Sequence, residues 1–397
     1  MILSLVLAKL IQSPLVLEYP DPKSSFVSVQ AIVKLPELTP KERSVAALLA
    51  RTVAYDVDDY SRFYMRDTTA AAGDQVKVIL MPDEMRIQIG VLPEDVKPGL
   101  RFLNNILRRS HLPEDELNRQ ISEDSARKKG LWETAVEPWG SDLRRVRRSD
   151  VVDFYHRICR PDNTTIVVGG KVTPGEPQEI WSQIASDWKA ERIPRWLLEP
   201  GDAAPIRRVD GSENVIELYG EEFPGGDVAI ASKLLSIIAL GSGKGSVLFE
   251  KVREEMGLSY RQEAILWPTP KGFRPRFIIA SGDPRPLPEL VDAVRKQMLS
   301  SIEAWTEDDK VRAIGMSHAI IDLGCPMSPF YFHPYYPLGD NLHDQTFLRA
   351  YWRLKTGREW DADHLMDQMS KVSLQDMKDT AKQMIEKASA SFIKADG

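Results

Sequence analysis

Cysteine is nearly absent from this chain: its 397 residues hold two, Cys159 in DFYHRICRP and Cys325 in DLGCPMSP. The two are far apart in sequence, and only Cys159 has a histidine near it, His156 three positions before, so a disulfide framework is excluded and both read as ordinary buried thiols. Histidine is also sparse. Of His111, His156, His318, His333, His343 and His364, only His156 has a His or Cys three or four positions on, Cys159, and a single pair does not make a metal site. Long apolar runs are missing as well, since nothing approaches the roughly 20 residues a membrane span needs. The opening MILSLVLAKLIQ is short, has no basic residues ahead of it and no small-residue cleavage site, so it fits a first strand better than a signal peptide. A cytoplasmic protein is expected, or a periplasmic or secreted one if a leader has been trimmed, with no membrane partner. Finally, there is no basic stripe: 52 Lys and Arg are interspersed with 58 Asp and Glu for a net charge of -6, so nucleic acid is not an expected partner.

What is present is ordinary globular composition, 43% hydrophobic and 28% charged. The length predicts two domains of about 200 residues each. Their ends look alike. VRRSDVVDFYHRICRPDNTTIVVGG (146–170) and VSLQDMKDTAKQMIEKASASFIKADG (372–397) both read as a polar start, a helix and a β-branched strand. Setting Asp150 against Asp376 gives an offset of 226, which also places Ile158 on Met384 and Ile166 on Phe392. Their beginnings match too. FVSVQAIVKLPELTPKERSVAALLARTV (26–53) and NVIELYGEEFPGGDVAIASKLLSIIAL (214–240) each read as strand, proline break and long helix, with Pro36 answered by Pro224 at an offset of 188. YSRFYMRDTTAAAGDQVKVIL (60–80) is answered by GSVLFEKVREEMGLSYRQEAIL (245–266). Duplication is the economical explanation. Between the halves, RIPRWLLEPGDAAPIRRVDGSE (192–213) has a linker's composition, so the expected domains are 1–191 and 214–397. Helices and strands mix without regular βαβ alternation, which predicts an α+β fold of two duplicated domains, each a sheet covered by helices.

The richest stretch is GSGKGSVLFEKVREEMGLSY (241–260). Its glycines do not make a phosphate loop: Lys244 is followed by Gly245 instead of Ser or Thr, the first glycine is misplaced, and a helix instead of a strand precedes the loop. They read instead as a flexible glycine-rich loop, with Gly241 as C-cap of the preceding helix, Gly243 and Gly245 at positive φ, and Ser246 capping the next helix. That helix is expected to turn Val247, Leu248, Phe249 and Val252 toward a core, to carry Arg253 and to stop at Gly257; Tyr260 is expected to begin a strand. Alone, Arg253 and Tyr260 would be a surface charge and a half-buried phenol.

The stretch resembles the C-terminal-half signature of the M16 metallopeptidases, the pitrilysin and mitochondrial processing peptidase group. Ser246, Leu248, Phe249, Arg253, Glu254, Gly257, Leu258 and Tyr260 match S-x-L-F-x-x-x-R-E-x-x-G-L-x-Y. FYHRICRPDNTTIVVGGKV and the duplicated layout extend the similarity across nearly the whole chain. The resemblance implies mostly antiparallel sheets. It also implies that Arg253 and Tyr260 are substrate-binding residues that donate hydrogen bonds to peptide carbonyls beside a scissile bond.

The family's zinc motif, H-x-x-E-H on the long early helix, has no counterpart here. KERSVAALLARTVAYDVDDY contains no histidine, and the first histidine of the chain is His111. His111, Glu114 and Asp115 spell H-x-x-E-D, but Pro113 breaks the helical register a ligand pair requires and marks a helix start, with Glu114, Asp115 and Glu116 at the positive end of its dipole. No catalytic residue, metal site or cofactor is therefore assigned to this chain. By resemblance it is the non-catalytic subunit of a heterodimer, binding peptide substrates while zinc sits in an M16 homologue as partner. A structural subunit without a role in proteolysis, like the respiratory-complex core proteins, is the alternative. An enzyme with an unrecognised site is a third reading. CPMSPFYFHPYYPLGD (325–340) reads as a packed connection or as a rigid wall for apolar side chains.

Overall fold

The computed structural model describes residues 14–58, 76–126, 143–189, 207–210, 214–322 and 341–396. They fall into two compact units: the first holds the described residues through 189 together with Asn341–Ala350, and the second holds the rest. Residues 325–340 and most of 192–213 lie outside the described residues.

The first unit is built on strands β1 (Leu15–Pro20), β2 (Val27–Lys34), β3 (Lys77–Leu80), β4 (Glu84–Val91) and β5 (Thr164–Gly170), in the order β1-β5-β2-β4-β3. β1 runs parallel to β5 and the other pairs are antiparallel. Helices α1 (Pro40–Thr52), α2 (Val96–Arg108), α3 (Glu114–Ala126), α4 (Arg148–Ile158) and α5 (Glu176–Ile184) complete it. Alternation along the strands decides the core. Val27, Val29, Ala31 and Val33 of β2, with Ile87 and Ile89 of β4 and Ile166 and Val168 of β5, share one cluster with Leu48 and Leu49 of α1, Leu100 and Leu103 of α2, and Phe154 of α4. α1 begins at a capping box: Glu42 N donates to Thr39 Oγ1 at 3.3 Å, and Thr39 N donates to Glu42 Oε2 at 3.0 Å.

Among the intervening residues of β2 and β4, Ser28, Gln30 and Arg86 are polar yet buried, and residues of Asn341–Ala350 pair with each of them. Gln30 Nε2 donates to Ser28 Oγ at 2.7 Å and to the His343 carbonyl at 2.8 Å, while Arg86 donates to Gln30 Oε1 and to Asp344 Oδ1, both at 2.9 Å. A polar sheet face so paired costs little to bury; left unpaired it would cost several kcal/mol, on the order of 1–3 per group.

The second unit contains β6 (Arg207–Asp210), β7 (Asn214–Tyr219), β8 (Phe223–Pro224), β9 (Gln262–Thr269), β10 (Gly272–Ser281) and β11 (Ser389–Asp396). The order is β6-β11-β7-β10-β8, and β9 also pairs with β10. Around it lie α6 (Ile230–Gly241), a π-helix (Leu248–Glu255), α7 (Leu287–Glu303), α8 (Glu307–Asp322), α10 (Ala362–Ser370) and α11 (Leu374–Glu386), with α9 (Leu342–Thr356) between α8 and α10 in the chain. Ser236 Oγ of α6 donates to the Met377 carbonyl of α11 at 3.0 Å. Among the described residues no helix is long and apolar enough to cross a membrane.

The duplication is plain in the topology. In each sheet a parallel edge strand (β1, β6) joins the strand that closes the repeat (β5, β11), which pairs antiparallel with the strand that opens it (β2, β7), followed by the hairpin strands. The 226 offset agrees with this pairing, because Ile166 faces Ala31 and Phe392 faces Ile216. The same pairing makes Ala31 and Ile216 equivalent, an offset of 185 (216 − 31), three less than the offset that sets Pro36 against Pro224. A second difference lies in the segment read as linker, where Arg207–Asp210 form β6 against Ile393–Asp396. Charged residues on a short edge strand look like linker in sequence because they keep the open edge soluble.

Candidate functional site

The stretch 241–260 is arranged by close contacts more than by loose glycines. α6 is apolar and buried along most of its length, and its last residue, Gly241, lies on β9: a Cβ there would stand 2.3 Å from Ala264 Cβ. Gly241 therefore serves close approach, and the C-cap is Ser242. Gly243 turns the chain at φ +79°, as expected, whereas Gly245 has no positive φ and is instead confined by the Arg312 side chain, 2.8 Å from where its Cβ would be. Ser246 does cap the next helix, accepting from Phe249 N at 3.3 Å.

That helix departs from expectation. Residues Leu248–Glu255 are π-helical, and Met256 N donates to the Lys251 carbonyl at 3.0 Å, five residues back. Leu248 and Val252 are buried, but Phe249 is only half-buried and does not join the core. Gly257, at φ +63°, reverses the chain, and Leu258 N then donates to the Val252 carbonyl at 3.1 Å. Tyr260 emerges from this turn 74% exposed, before β9 and not within it.

The turn brings the two candidate residues together. Arg253 Cζ lies 4.3 Å from the Tyr260 ring centroid and 4.6 Å from that of Phe249, and Arg253 Nε forms an ion pair with Glu254 Oε1 at 3.0 Å. Each cation–ring contact at such an exposed site contributes about 0.5–1 kcal/mol. Among the described residues the Tyr260 hydroxyl and the outer guanidinium nitrogens have no partner, so the site presents hydrogen-bond donors over an aromatic surface. Such a group binds carbonyl oxygens. It is suited to binding, since it contains no nucleophile paired to a base. Alongside it, β9 is the outer strand of its hairpin and pairs only with β10 among the described residues.

The helix where the resemblance places zinc ligands does not fit the metal. α1 holds its position through apolar residues and ion pairs: Lys41 with Asp150 at 3.1 Å, Arg157 with Glu42 at 2.9 Å and Arg51 with Asp124 at 2.9 Å. His111 is engaged on both ring nitrogens, Nε2 with Asp58 at 2.6 Å and Nδ1 with Asp56 at 3.1 Å; the bond to Asp58, then that to Asp56, raises its pKa. It sits just before α3, whose first turn carries Glu114, Asp115 and Glu116. Among the described residues no three His, Cys, Asp or Glu side chains form a group able to hold a metal ion.

Comparison with known proteins bears on the fold and on the family of this stretch. The family model described as "Peptidase M16 inactive domain" matches residues 145–315, a span that includes the whole 241–260 stretch. Over that span the chain is similar to the inactive domains of M16 peptidases. The chain also resembles solved structures over nearly its full length. A protease from Helicobacter pylori has a TM-score of 0.74 at 14% identity, covering 96% of this chain and 98% of that one. A peptidase M16 inactive domain from Pseudomonas fluorescens has a TM-score of 0.70 at 12% identity, covering 97% and 96%. A conserved protein from Enterococcus faecalis has 0.67 at 13% identity, covering 97% of each chain. At these identities the likeness is one of fold. No curated protein matches the chain.

Two residues of the site escape a sequence reading that places Phe249 in the core and gives Glu254 no role. The spacing of Phe249 and Arg253, four apart on a helix, was the available signal that they are neighbours.

Proposed function

We propose that this protein is the non-catalytic, substrate-binding subunit of a two-subunit M16 peptidase. The observation that carries the proposal is the packing of Arg253 against the exposed Tyr260, which gathers two hydrogen-bond donors within the inactive-domain segment of a chain whose α1 contains no histidine. Peptides bind extended, adding a strand to the edge at β9, so that backbone hydrogen bonds supply affinity with little sequence choice. Arg253 and Tyr260 then hold a carbonyl of the bound strand. Zinc and the water-activating carboxylate belong to the partner, an M16 homologue with an intact H-x-x-E-H helix. The protease fold of the Helicobacter pylori relative supports placing this chain in peptide chemistry.

The test is a cleavage assay with this protein, a zinc-bearing M16 homologue from the same organism, and their mixture. Only the mixture is expected to be fully active, and Arg253→Ala is expected to lower its rate without preventing assembly. A mixture no faster than the homologue alone refutes the proposal. Full activity with Arg253→Ala in an assembled mixture favours the alternative, a scaffold of M16 fold.

A further inference from the structure

We infer that Phe249 and Glu254 are positioning residues that act on a bound peptide only through Arg253; the inference rests on the function proposed above. An arginine on a surface helix samples many rotamers, and each donor is useful only when the planar guanidinium faces its acceptor. Here three side chains restrict it. The Tyr260 ring lies 4.3 Å from Cζ, the Phe249 ring lies 4.6 Å from it, and the Glu254 carboxylate draws Nε to 3.0 Å. Tyr260 is itself exposed and is assigned to the ligand, so it is free to move as the ligand arrives. Phe249 is half-buried, and Glu254, although 55% exposed, is held to Nε by its ion pair. They lie on the same π-helix as Arg253, anchored by the buried Leu248 and Val252, and therefore keep the guanidinium in place before a peptide binds.

The helix type supports a positional role. A π-helix of eight residues is rare, packs its backbone less well than an α-helix and is found most often at functional sites. Its i→i−5 bond from Met256 N to the Lys251 carbonyl spans the turn that carries Arg253. Glu254 also compensates the charge of Arg253 on the spot. The donors that remain suit a neutral acceptor, a peptide carbonyl, better than a carboxylate.

A double-mutant cycle tests this on the chain alone. The probe is fluorescein-labelled, dephosphorylated β-casein, an unfolded chain, with binding read by anisotropy for wild type, Arg253→Ala, Phe249→Leu, Glu254→Gln and the two doubles with Arg253→Ala. Phe249→Leu is expected to raise Kd about two- to fivefold, the loss of one cation–ring contact. The same change in the Arg253→Ala background is expected to have no effect, because its only route of action is gone. Glu254→Gln is expected to behave likewise. Phe249→Tyr, which keeps a ring, restores most of the affinity that Phe249→Leu loses, and this separates positioning from collapse of the turn. Single and double variants that weaken binding additively overturn the inference and leave the proposed function standing. If wild type does not bind, or Arg253→Ala binds as wild type does, the proposed function fails and the inference fails with it.

Discussion

The guanidinium carbon of Arg253 stands 4.3 Å from the centroid of the Tyr260 ring, so two residues seven positions apart share one spot on the surface. Under the proposed function the ring and the hydroxyl of Tyr260 have separable jobs: one packs on Arg253 and the other donates to a ligand. Tyr260→Phe is expected to lower the cleavage rate of the assembled mixture about two- to tenfold, the loss of a neutral hydrogen bond. Tyr260→Ala is expected to lower it further, since Arg253 loses its ring as well. Equal rates for the two variants would show that the hydroxyl alone matters.

In the second unit the largest single cost is predicted away from this site. Arg276 and Glu217 are ion-paired with each side chain 2% exposed, and Arg276 Cζ also lies 4.2 Å from the Trp267 ring centroid. Arg276→Met would leave Glu217 charged and buried, which costs about 3–5 kcal/mol; changing both, to Arg276→Met with Glu217→Gln, should recover much of it. Urea unfolding of the single and double variants measures the difference.

The same pair sets an acid limit on stability. Burial pushes the Glu217 carboxyl up, but the Arg276 guanidinium and the hydroxyls of Tyr219 and Ser391 outweigh it and hold its pKa below the ordinary value. A depressed carboxylate contributes stability that is present above its unfolded pKa, about 4.3, and is lost as the pH falls through its lower folded value. Glu217→Gln is therefore expected to flatten the loss of stability below about pH 4.3, read from urea midpoints across that range.

How much of this could be read from sequence depends on whether a feature is local. The repeat was legible because its closing helix and strand keep one register, down to Asp150 and Asp376 at equivalent cap positions. Arg147 N donates to Asp150 Oδ2 at 3.1 Å, and Asp376 N donates to Ser373 Oγ at 3.0 Å. The Arg253 and Tyr260 pairing was legible only through a family signature, since nothing in the spacing alone says that Gly257 will fold one onto the other. The π-helix was not legible: over eight residues, apolar spacing does not separate an i−4 ladder from an i−5 one. Nor was the placement of Asn341–Ala350 in the first unit, which depends on Arg86 and Gln30, hundreds of residues away in sequence, needing partners.

His111 gives a pH effect of the opposite sign. Hydrogen bonds to Asp58 and Asp56 raise its pKa, so its contribution is full below the unfolded value of about 6.5 and is lost as the pH rises through the folded value. The side chain is half-exposed, so the effect is small and screened by salt. His111→Asn is expected to remove a shallow decline in melting temperature above about pH 6.5 in low salt, and to change nothing in high salt. A decline that persists in His111→Asn belongs to another group.

Glycine substitutions distinguish a mobile loop from a packed one. If the glycines of 241–245 served only mobility, alanine at each would cost a similar, small amount. The contacts predict otherwise. A Cβ on Gly241 meets Ala264 Cβ at 2.3 Å and Ala264 N at 2.8 Å, backbone and a side-chain stub that have nowhere to go. Overpacking of that kind costs about 1–3 kcal/mol and pushes α6 off β9. At Gly245 the nearest atoms belong to the Arg312 side chain, which is long and can swing aside at little cost. Gly243 stands between the two, since its φ of +79° strains any alanine by about 1–2 kcal/mol whatever the space around it. The expected order of destabilisation is thus Gly241→Ala at or above Gly243→Ala, with Gly245→Ala close to wild type, measured by thermal melting. Equal melting temperatures for Gly241→Ala and Gly245→Ala would mean that the end of α6 is not seated on β9, and that the loop owes its glycines to motion after all.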